Sequence, residues 1–240
     1  MQTKLIVALD FDNRVDALML IDKLNPTDCA LKVGNELFVL LGSDFVRELV
    51  QRQFKVFLDL KFHDIPNTVS RAIKAAASLG VWMLNVHASG GLDMMVAAKK
   101  AINELEKPPL LIAVTVLTSL SEAALASTGV KMSLQETVLH LAKMAQEAGL
   151  DGVVCSAAEV AMIKAHCGRD FLTVTPGIRF ESNASDDQVR TVTPEQALSV
   201  GCDYLVVGRP ITRAENPKQV VQKILKLTAD LTRRKNAPFN

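Results

Sequence analysis

Two patterns of hydrophobic and polar positions alternate along the chain: short apolar runs, and longer stretches with apolar residues at helical spacing. Continuous apolar runs are typical of strands covered on both faces, whereas recurrence at i, i+3, i+4 and i+7 is typical of amphipathic helices. The runs predict strands at 5–10, 29–33, 56–61, 83–87, 110–116, 152–155, 172–175 and 204–208. The helical spacing predicts helices at 14–24, 44–53, 69–79, 92–105, 134–148, 158–166 and 217–231.

The order of these elements predicts the fold class. Strands that alternate with helices form parallel sheets with right-handed crossovers. Eight such units in 240 residues fit one closed (β/α)₈ TIM barrel better than an open doubly wound sheet. Because no linker, low-complexity segment or repeat interrupts the alternation, we expect a single domain over residues 1–240. The first strand lacks a following G-x-G-x-x-G and the chain has no Walker-type loop, which disfavours a nucleotide-cofactor fold.

Composition narrows the possible partners and the compartment. The 27 basic and 26 acidic residues give a net charge of +1, so charge offers no argument for nucleic acid or a membrane surface as a partner. The apolar run near the N-terminus is too short for a signal peptide, and no run is long enough for a transmembrane helix. The four cysteines lack the spacing of metal sites or disulfide frameworks. We therefore expect a cytoplasmic protein with reduced thiols.

Charged side chains lie at or near the ends of the first three predicted strands. Catalytic groups of (β/α)₈ barrels gather at the carboxyl ends of their strands, so polar residues at those positions are candidates for a site. Asp10 ends the first apolar run, Lys32 lies in the second, and Asp59 and Lys61 lie in the third. Four charges of alternating sign indicate a site that needs an ordered array of fixed charges. Polar residues also end later strands, namely His87, Thr118, Thr175, Gly208 and Arg209.

The segment FLDLKFHDIPNT, residues 57–68, places Asp59, Lys61 and Asp64 within six residues. Asp59 and Lys61 are two positions apart, so in a strand both project from the same face. Burying charged side chains costs several kcal/mol per ion unless they are paired. From the residues alone, two interpretations stay open: a structural ion pair at the end of a strand, or part of a functional site.

The end of the eighth predicted strand and the loop before it suggest a phosphate site. In Gly208-Arg209 the glycine allows close backbone approach and the arginine offers a planar fork of donors, at the position where such barrels commonly bind phosphate. The preceding loop, 176–193, is long, polar and short of apolar anchors. Its composition fits either a lid that closes over a ligand or an ordinary surface loop.

The blocks of sequence that carry these residues resemble the orotidine 5′-phosphate decarboxylase family, in the family's order and over essentially the whole chain. The blocks are LIVALD, LKVG, FLDLKFHDIPNT, NVHASGG, VTVLTS, DGVVCSA, VTPGIR and VVGRP. The resemblance implies decarboxylation of orotidine 5′-phosphate to uridine 5′-phosphate and carbon dioxide in de novo pyrimidine biosynthesis. It also implies a TIM barrel, no cofactor, no metal, and a homodimer whose active sites are shared across the interface.

The resemblance assigns roles to the residues around the pyrimidine and the ribose. Lys61 would donate the proton to C6 of the pyrimidine, and Asp59 would lie against the substrate carboxylate. Lys32 and Asp10 would bind the ribose hydroxyls, and Thr118 would contact the pyrimidine.

Two further groups of roles follow from the same resemblance. Asp64 and Thr68 would reach into the pocket of the neighbouring subunit. The phosphate would be held by the Gly208 backbone and by three side chains, those of Arg179, Gln188 and Arg209. The contacts of residues 180–187 are left open.

Two other functions remain as alternatives. Magnesium-dependent sugar-phosphate decarboxylases and aldolases of the same suprafamily share the Asp-x-Lys-x-x-Asp block, but they use a carboxylate near the position of Lys32, where a lysine would repel the cation. A non-catalytic protein that binds nucleotide phosphates would use the same pocket, although binding alone does not require Lys61.

Overall fold

The computed structural model describes residues 4–180 and 191–236, which form a closed barrel of eight parallel strands. Each strand pairs with the next along the chain, and the last pairs with the first. The predicted (β/α)₈ barrel is therefore confirmed. The strands are β1 (Leu5–Ala8), β2 (Ala30–Gly34), β3 (Val56–Phe62), β4 (Met83–His87), β5 (Leu110–Val114), β6 (Gly152–Val154), β7 (Leu172–Thr175) and β8 (Tyr204–Val207).

Helices connect the strands and surround the barrel, and most begin or end within a few residues of the predicted bounds. In the described ranges the α-helices are α1 (Arg14–Ile21), α2 (Asn35–Gln51), α3 (Pro66–Ala77), α4 (Leu92–Asn103), α5 (Glu122–Ser127), α6 (Leu134–Glu147), α7 (Ala157–Cys167), α8 (Pro194–Ser199), α9 (Arg209–Thr212) and α10 (Pro217–Asn236). Thr193 caps α8: its hydroxyl accepts a hydrogen bond from the backbone N–H of Gln196, and Pro194 lies in the first turn.

Helix α2 is longer than the prediction of 44–53. It starts directly after β2 and is interrupted by Gly42, whose φ of 67° lies in the left-handed region. Before this kink, Val39 and Leu40 project outward and are 83% and 53% exposed. Because apolar residues lie on the outer face of this half, the amphipathic spacing that would reveal a helix is absent from the sequence.

The interior of the barrel is apolar at its lower end and polar at its upper, carboxyl-terminal end. The apolar cluster inside comprises Ile6, Ala8, Ala30, Phe57, Met83, Ile112, Val174, Tyr204 and Val206. Side chains alternate between the two faces of a strand, so the residue two positions on also points inward. At the next inward-facing position of each strand, Lys32 follows Ala30, Asp59 follows Phe57 and Asn85 follows Met83. Three neighbouring strands thus replace apolar side chains by polar ones in the same layer.

Two partly buried ion pairs anchor the amino-terminal end of the barrel. The ammonium of Lys99 on α4 lies 2.9 Å from a carboxylate oxygen of Asp151, and that of Lys164 on α7 lies 2.6 Å from Asp203. Each carboxylate also accepts a hydrogen bond from a backbone N–H of the neighbouring strand, at 2.7 Å from β5 and 2.8 Å from β7. These contacts tie helices to strands at the end of the barrel opposite the polar layer.

The four cysteines are buried thiols. Burial raises the pKa of Cys29 to about 12 and that of Cys202 to about 11, so both are protonated and act as small apolar groups. Among the described helices, none is both long and apolar enough to cross a membrane.

A glycine in β6 sets a tight limit on the packing between strands. A Cβ atom at Gly152 would lie 2.2 Å from the carbonyl oxygen of Leu172 in β7. We expect Gly152→Ala to lower the free energy of unfolding by about 3 kcal/mol or more, since overpacking forces the backbones apart. Equilibrium unfolding in urea measures this change.

Gly129→Ala is the matched control for that variant. Gly129 has open space around it but a φ of 91°, so alanine there meets only conformational strain, of roughly 1–2 kcal/mol. A loss for Gly152→Ala no larger than that of the control would show that the close approach of the two strands does not limit stability.

Candidate active site

A cavity of about 450 Å³ opens at the carboxyl-terminal end of the strands. Its lining joins residues that are far apart in the sequence, because the carboxyl ends of all eight strands meet at this face. The residues predicted for the site that line it are Asp10, Lys32, Asp59, Lys61, Thr118, Arg179, Gly208 and Arg209. The prediction for Gln188 lies outside the described residues, as do positions 181–190 of the loop predicted at 176–193.

The centre of the cavity is a buried carboxylate between two ammonium groups. The Oδ1 atom of Asp59 lies 2.7 Å from Nζ of Lys61, and its Oδ2 atom lies 3.3 Å from Nζ of Lys32. Lys32 also lies 3.2 Å from Oδ1 of Asp10. The four charges that the sequence placed at or near the ends of three different strands thus form one chain of contacts with alternating sign.

These contacts determine the protonation states of the central pair. Burial alone would raise the pKa of Asp59, but the two lysines and the hydrogen bonds from Lys61 and Asn85 hold it below its usual value. Burial alone would lower the pKa of Lys32, but the carboxylates of Asp59 and Asp10 hold it above its usual value. Both groups therefore stay charged at neutral pH, and the cavity keeps fixed charges of both signs.

The carboxyl end of β3 departs from regular strand geometry. Lys61 has a φ of 51°, in the left-handed region, and the register between β3 and β4 shifts between Leu58 and Phe62. A residue other than glycine in that conformation costs about 1–3 kcal/mol, and such strain persists where surrounding contacts hold it. The turn of the backbone at Lys61 therefore has to be supported by its neighbours.

Asn85 supplies that support, and sequence reasoning did not identify it. Its side chain is fully buried in β4. Its Nδ2 atom donates to Oδ1 of Asp59 at 2.6 Å, and its Oδ1 atom accepts from the backbone N–H of Lys61 at 2.8 Å. An amide within an apolar strand run was the available signal, because buried polar groups are uncommon unless they are hydrogen-bonded.

The far side of the cavity is positively charged. Burial lowers the pKa of Arg209, and the nearby guanidinium groups of Arg179 and Arg213 lower it further. Arg213, which also lines the cavity, was not among the predicted residues. A guanidinium stays charged at any accessible pH, so this side offers an anion several donors.

Gly208 lines the cavity beside Asp10. A Cβ atom there would lie 3.3 Å from Oδ2 of Asp10, so the absence of a side chain leaves room for that carboxylate. Gly208 also immediately precedes the short helix α9, which begins with Arg209. Thr118 closes another side of the cavity and is buried.

Two predicted residues lie apart from the cavity of their own chain. Asp64 and Thr68 do not line it, and both belong to a continuous exposed segment, 63–68, at the start of α3. The carboxylate of Asp64 accepts a hydrogen bond from the Ile65 amide at 2.6 Å. Ile65 itself is 67% exposed.

Two histidines lie beside the charged centre. The ring centroids of His63 and His87 are 5.7 Å apart. Burial lowers the pKa of His87, and the neighbouring His63 and Lys61 lower it further. His87 is therefore neutral at pH 7 and adds no charge to the array. Among the described residues, no three side chains of histidine, cysteine, aspartate or glutamate are grouped as metal ligands would be.

Comparisons with known proteins agree with this arrangement. The model of the orotidine 5′-phosphate decarboxylase / HUMPS family matches residues 3–224. An orotidine 5′-phosphate decarboxylase of Legionella pneumophila (strain Corby) is 62% identical over 227 residues, which are 94% of this chain and 99% of that protein. The enzyme of the same name from Vibrio cholerae serotype O1 (strain ATCC 39541) is 58% identical over 222 residues, which are 92% of this chain and 96% of that protein.

Solved structures give the same result for the fold. The crystal structure of orotidine 5′-phosphate decarboxylase from Lactobacillus acidophilus has a TM-score of 0.85 and 43% identity, covering 94% of this chain and 99% of that chain. An uncharacterized conserved protein from Geobacillus kaustophilus has a TM-score of 0.83 and 41% identity, covering 93% of this chain and 99% of that one. The family model and these relatives cover the barrel and the residues of its charged cavity, and the chain belongs to the orotidine 5′-phosphate decarboxylase / HUMPS family.

Proposed function

We propose that this protein decarboxylates orotidine 5′-phosphate to uridine 5′-phosphate and carbon dioxide, a step of de novo pyrimidine biosynthesis, without a cofactor. The observation that carries the proposal is the buried Asp59 carboxylate held between Lys32 and Lys61 at the bottom of the cavity. The names of relatives that are 62% and 58% identical over almost the whole chain support the same activity.

Lys61 is the proton donor in this proposal. When the bond from C6 to the carboxylate breaks, carbon dioxide leaves and the electron pair stays on C6. No electron sink adjoins that carbon, so the negative charge must be stabilised by the protein. An ammonium about 4 Å away contributes roughly 4 kcal/mol at an effective dielectric constant near 20. Lys61 then transfers a proton to C6 and regains one from solvent.

Asp59 has a second role in the same step. Its carboxylate holds the Lys61 ammonium at 2.7 Å, which fixes the position of the proton to be transferred. The substrate carboxylate would lie against Asp59, and two like charges repel each other at short range. That repulsion is relieved as carbon dioxide forms, so it favours the transition state over the bound substrate.

The opposite end of the cavity binds the phosphate. Arg179, Arg209 and the Gly208 backbone lie there, and Gln188 is the further ligand that the family resemblance implies. A phosphate dianion forms its strongest hydrogen bonds with guanidinium groups. Binding energy from this end, remote from C6, is available to hold the pyrimidine against Lys61 and to order the loop over it.

The active form is a homodimer that shares its two sites. Asp64 and Thr68 lie outside the cavity of their own chain, in an exposed segment that also presents Ile65. In the dimer, this segment reaches the cavity of the neighbouring subunit, where Asp64 joins the charge array. The exposed isoleucine is then covered by the partner.

Lys32 argues against the magnesium-dependent alternative of the same suprafamily. A divalent cation at this place would need a carboxylate where the chain has an ammonium, and Lys32 already forms ion pairs with both Asp10 and Asp59. A protein that only binds nucleotide phosphates would need the arginine end of the cavity but not the strained Lys61.

We further propose that residues 1–240 act as one domain and that the protein works in the cytoplasm.

The test of the proposed reaction is an ultraviolet assay with orotidine 5′-phosphate in the presence and absence of EDTA. We expect the orotidine absorbance to disappear at the same rate in both, because the charges that drive the reaction belong to side chains. Orotidine without its phosphate serves as the control substrate and is expected to react far more slowly. The proposal is wrong if the substrate is stable, or if EDTA stops turnover and magnesium restores it.

Replacing Lys61 tests the proton donor. Lys61→Ala removes both the stabilising ammonium and the proton, so we expect kcat to fall by at least about 10³-fold. Lys74→Ala is the matched control, because Lys74 pairs with Glu104 on the outer surface and its loss is expected to change kcat by less than about twofold. Retention of activity within about tenfold in Lys61→Ala would refute the assignment.

Mixed dimers test whether the sites are shared. Lys61→Ala and Asp64→Asn should each be nearly inactive alone. In a hybrid of the two, one site combines both substitutions and the other has neither. Co-expression in equal amounts makes about half of the dimers hybrids, so about a quarter of the parent activity should return. A mixture no more active than its components would show that Asp64 serves its own chain.

A further inference from the structure

A buried amide connects the two residues at the centre of the proposed reaction. Asn85 contacts Asp59 through its Nδ2 atom at 2.6 Å and the backbone N–H of Lys61 through its Oδ1 atom at 2.8 Å. It is fully buried and is not part of the cavity lining. We propose that Asn85 is a positioning residue, which fixes the Asp59 carboxylate and the Lys61 backbone for proton transfer without touching the substrate.

The chemistry of the two partners requires an amide at this position. A carboxylate oxygen of Asp59 needs a donor, and the N–H of Lys61 needs an acceptor. Asparagine offers a donor and an acceptor at the two tips of one short planar group. An aspartate would present a second carboxylate to Asp59, and an apolar residue would leave both partners without this contact. A buried amide is costly unless both ends are satisfied, and here both are.

The contact with Asp59 fixes the orientation of its carboxylate. Oδ1 of Asp59 accepts hydrogen bonds from both Asn85 and the Lys61 ammonium, at 2.6 and 2.7 Å, while Oδ2 faces Lys32 at 3.3 Å. The lysine side chains are long and have several rotatable bonds, whereas the Asn85 side chain is short and enclosed in β4. Asn85 is therefore the rigid member of this set, and Asp59 transmits its position to the Lys61 ammonium.

The contact with Lys61 supports the left-handed backbone at the end of β3. Where the register between β3 and β4 shifts, the Lys61 N–H meets the Asn85 side chain instead of a strand carbonyl. This hydrogen bond satisfies the Lys61 N–H where the regular hydrogen bonding between β3 and β4 is interrupted, and it holds Lys61 at a φ of 51°. The direction in which the Lys61 side chain leaves the strand depends on that φ. Asn85 thus holds the backbone of Lys61 directly and the Lys61 ammonium through Asp59.

The inference rests on the proposed function and predicts a specific kinetic signature. Asn85→Ala should lower kcat by about 100-fold, because a misplacement of about 1 Å in a reacting group has that effect, with KM within about threefold of the parent. The affinity for uridine 5′-phosphate, measured by calorimetry, should also stay within about threefold. Asp59 loses a donor to its charged form, so its pKa rises and the acid limb of the kcat profile moves to higher pH.

Two further variants separate positioning from general stability. Thr115→Val removes another buried side-chain hydrogen bond near the cavity, from Thr115 to the Val154 carbonyl, without touching Asp59 or Lys61, and should keep the parent's kcat and pH profile. Asn85→Asp keeps the size of the side chain and the acceptor for Lys61 but replaces the amide donor by a second carboxyl group against Asp59. It should show the same loss of kcat and a larger shift of the acid limb than Asn85→Ala.

The outcomes distinguish this inference from the proposed function. If the parent protein does not turn over orotidine 5′-phosphate, the proposed function itself is wrong. If the parent is active and Asn85→Ala keeps kcat within about threefold with an unshifted acid limb, Asn85 does not position the pair. A parallel loss of kcat, ligand affinity and thermal stability, or failure of both Asn85 variants to fold, would show a purely structural role and overturn the inference.

Discussion

The neutralisation of one buried carboxylate controls the geometry of the whole site. Asp59 is 8% exposed and lies between two ammonium groups, at 2.7 and 3.3 Å. Removing such a carboxylate from water costs several kcal/mol, which only close partners of opposite charge and further hydrogen bonds offset. Each neighbour is therefore held in place by the need to compensate Asp59. The array keeps its shape before any substrate arrives, which is what electrostatic stabilisation of a transition state requires.

The barrel provides the place where this compensation is possible. Lower in the barrel, the inward side chains of the same strands are apolar and closely packed, as at Ala30, Phe57 and Met83. These apolar side chains exclude water beneath the charges, so the polar layer is confined to the open end of the barrel. The partly buried ion pairs of Asp151 and Asp203 hold helices to strands at the opposite end. The strained turn at Lys61 is thus confined to the open end of the barrel, above an apolar interior and away from the contacts that hold helices to strands.

The sequence predicted those features that depend on strand periodicity. Apolar runs located the eight strands, and charges at their ends located Asp10, Lys32, Asp59 and Lys61, because parallel strands present their carboxyl ends at one face. Features that depend on tertiary contacts could not be predicted in this way. The first half of α2 has its apolar residues on the outside, and the left-handed turn at Lys61 depends on a hydrogen bond to another strand. Asn85 is recognisable as important only once Asp59 and Lys61 are seen on either side of it.

The strained turn at Lys61 shows how the two ends of the cavity depend on each other. A regular β3 would send Lys61 along the alternating pattern, two residues after Asp59 and on the same face. The shift in register instead turns the backbone, and the Lys61 ammonium returns to Oδ1 of Asp59. Asp59 and Lys61 thereby occupy one side of the cavity, while the arginines occupy the side of β7 and β8. In the proposed reaction, the arginines align the phosphate end of the substrate, and the pyrimidine end meets Lys61. Because both ends are fixed to the same closed barrel, alignment at one end determines the approach at the other.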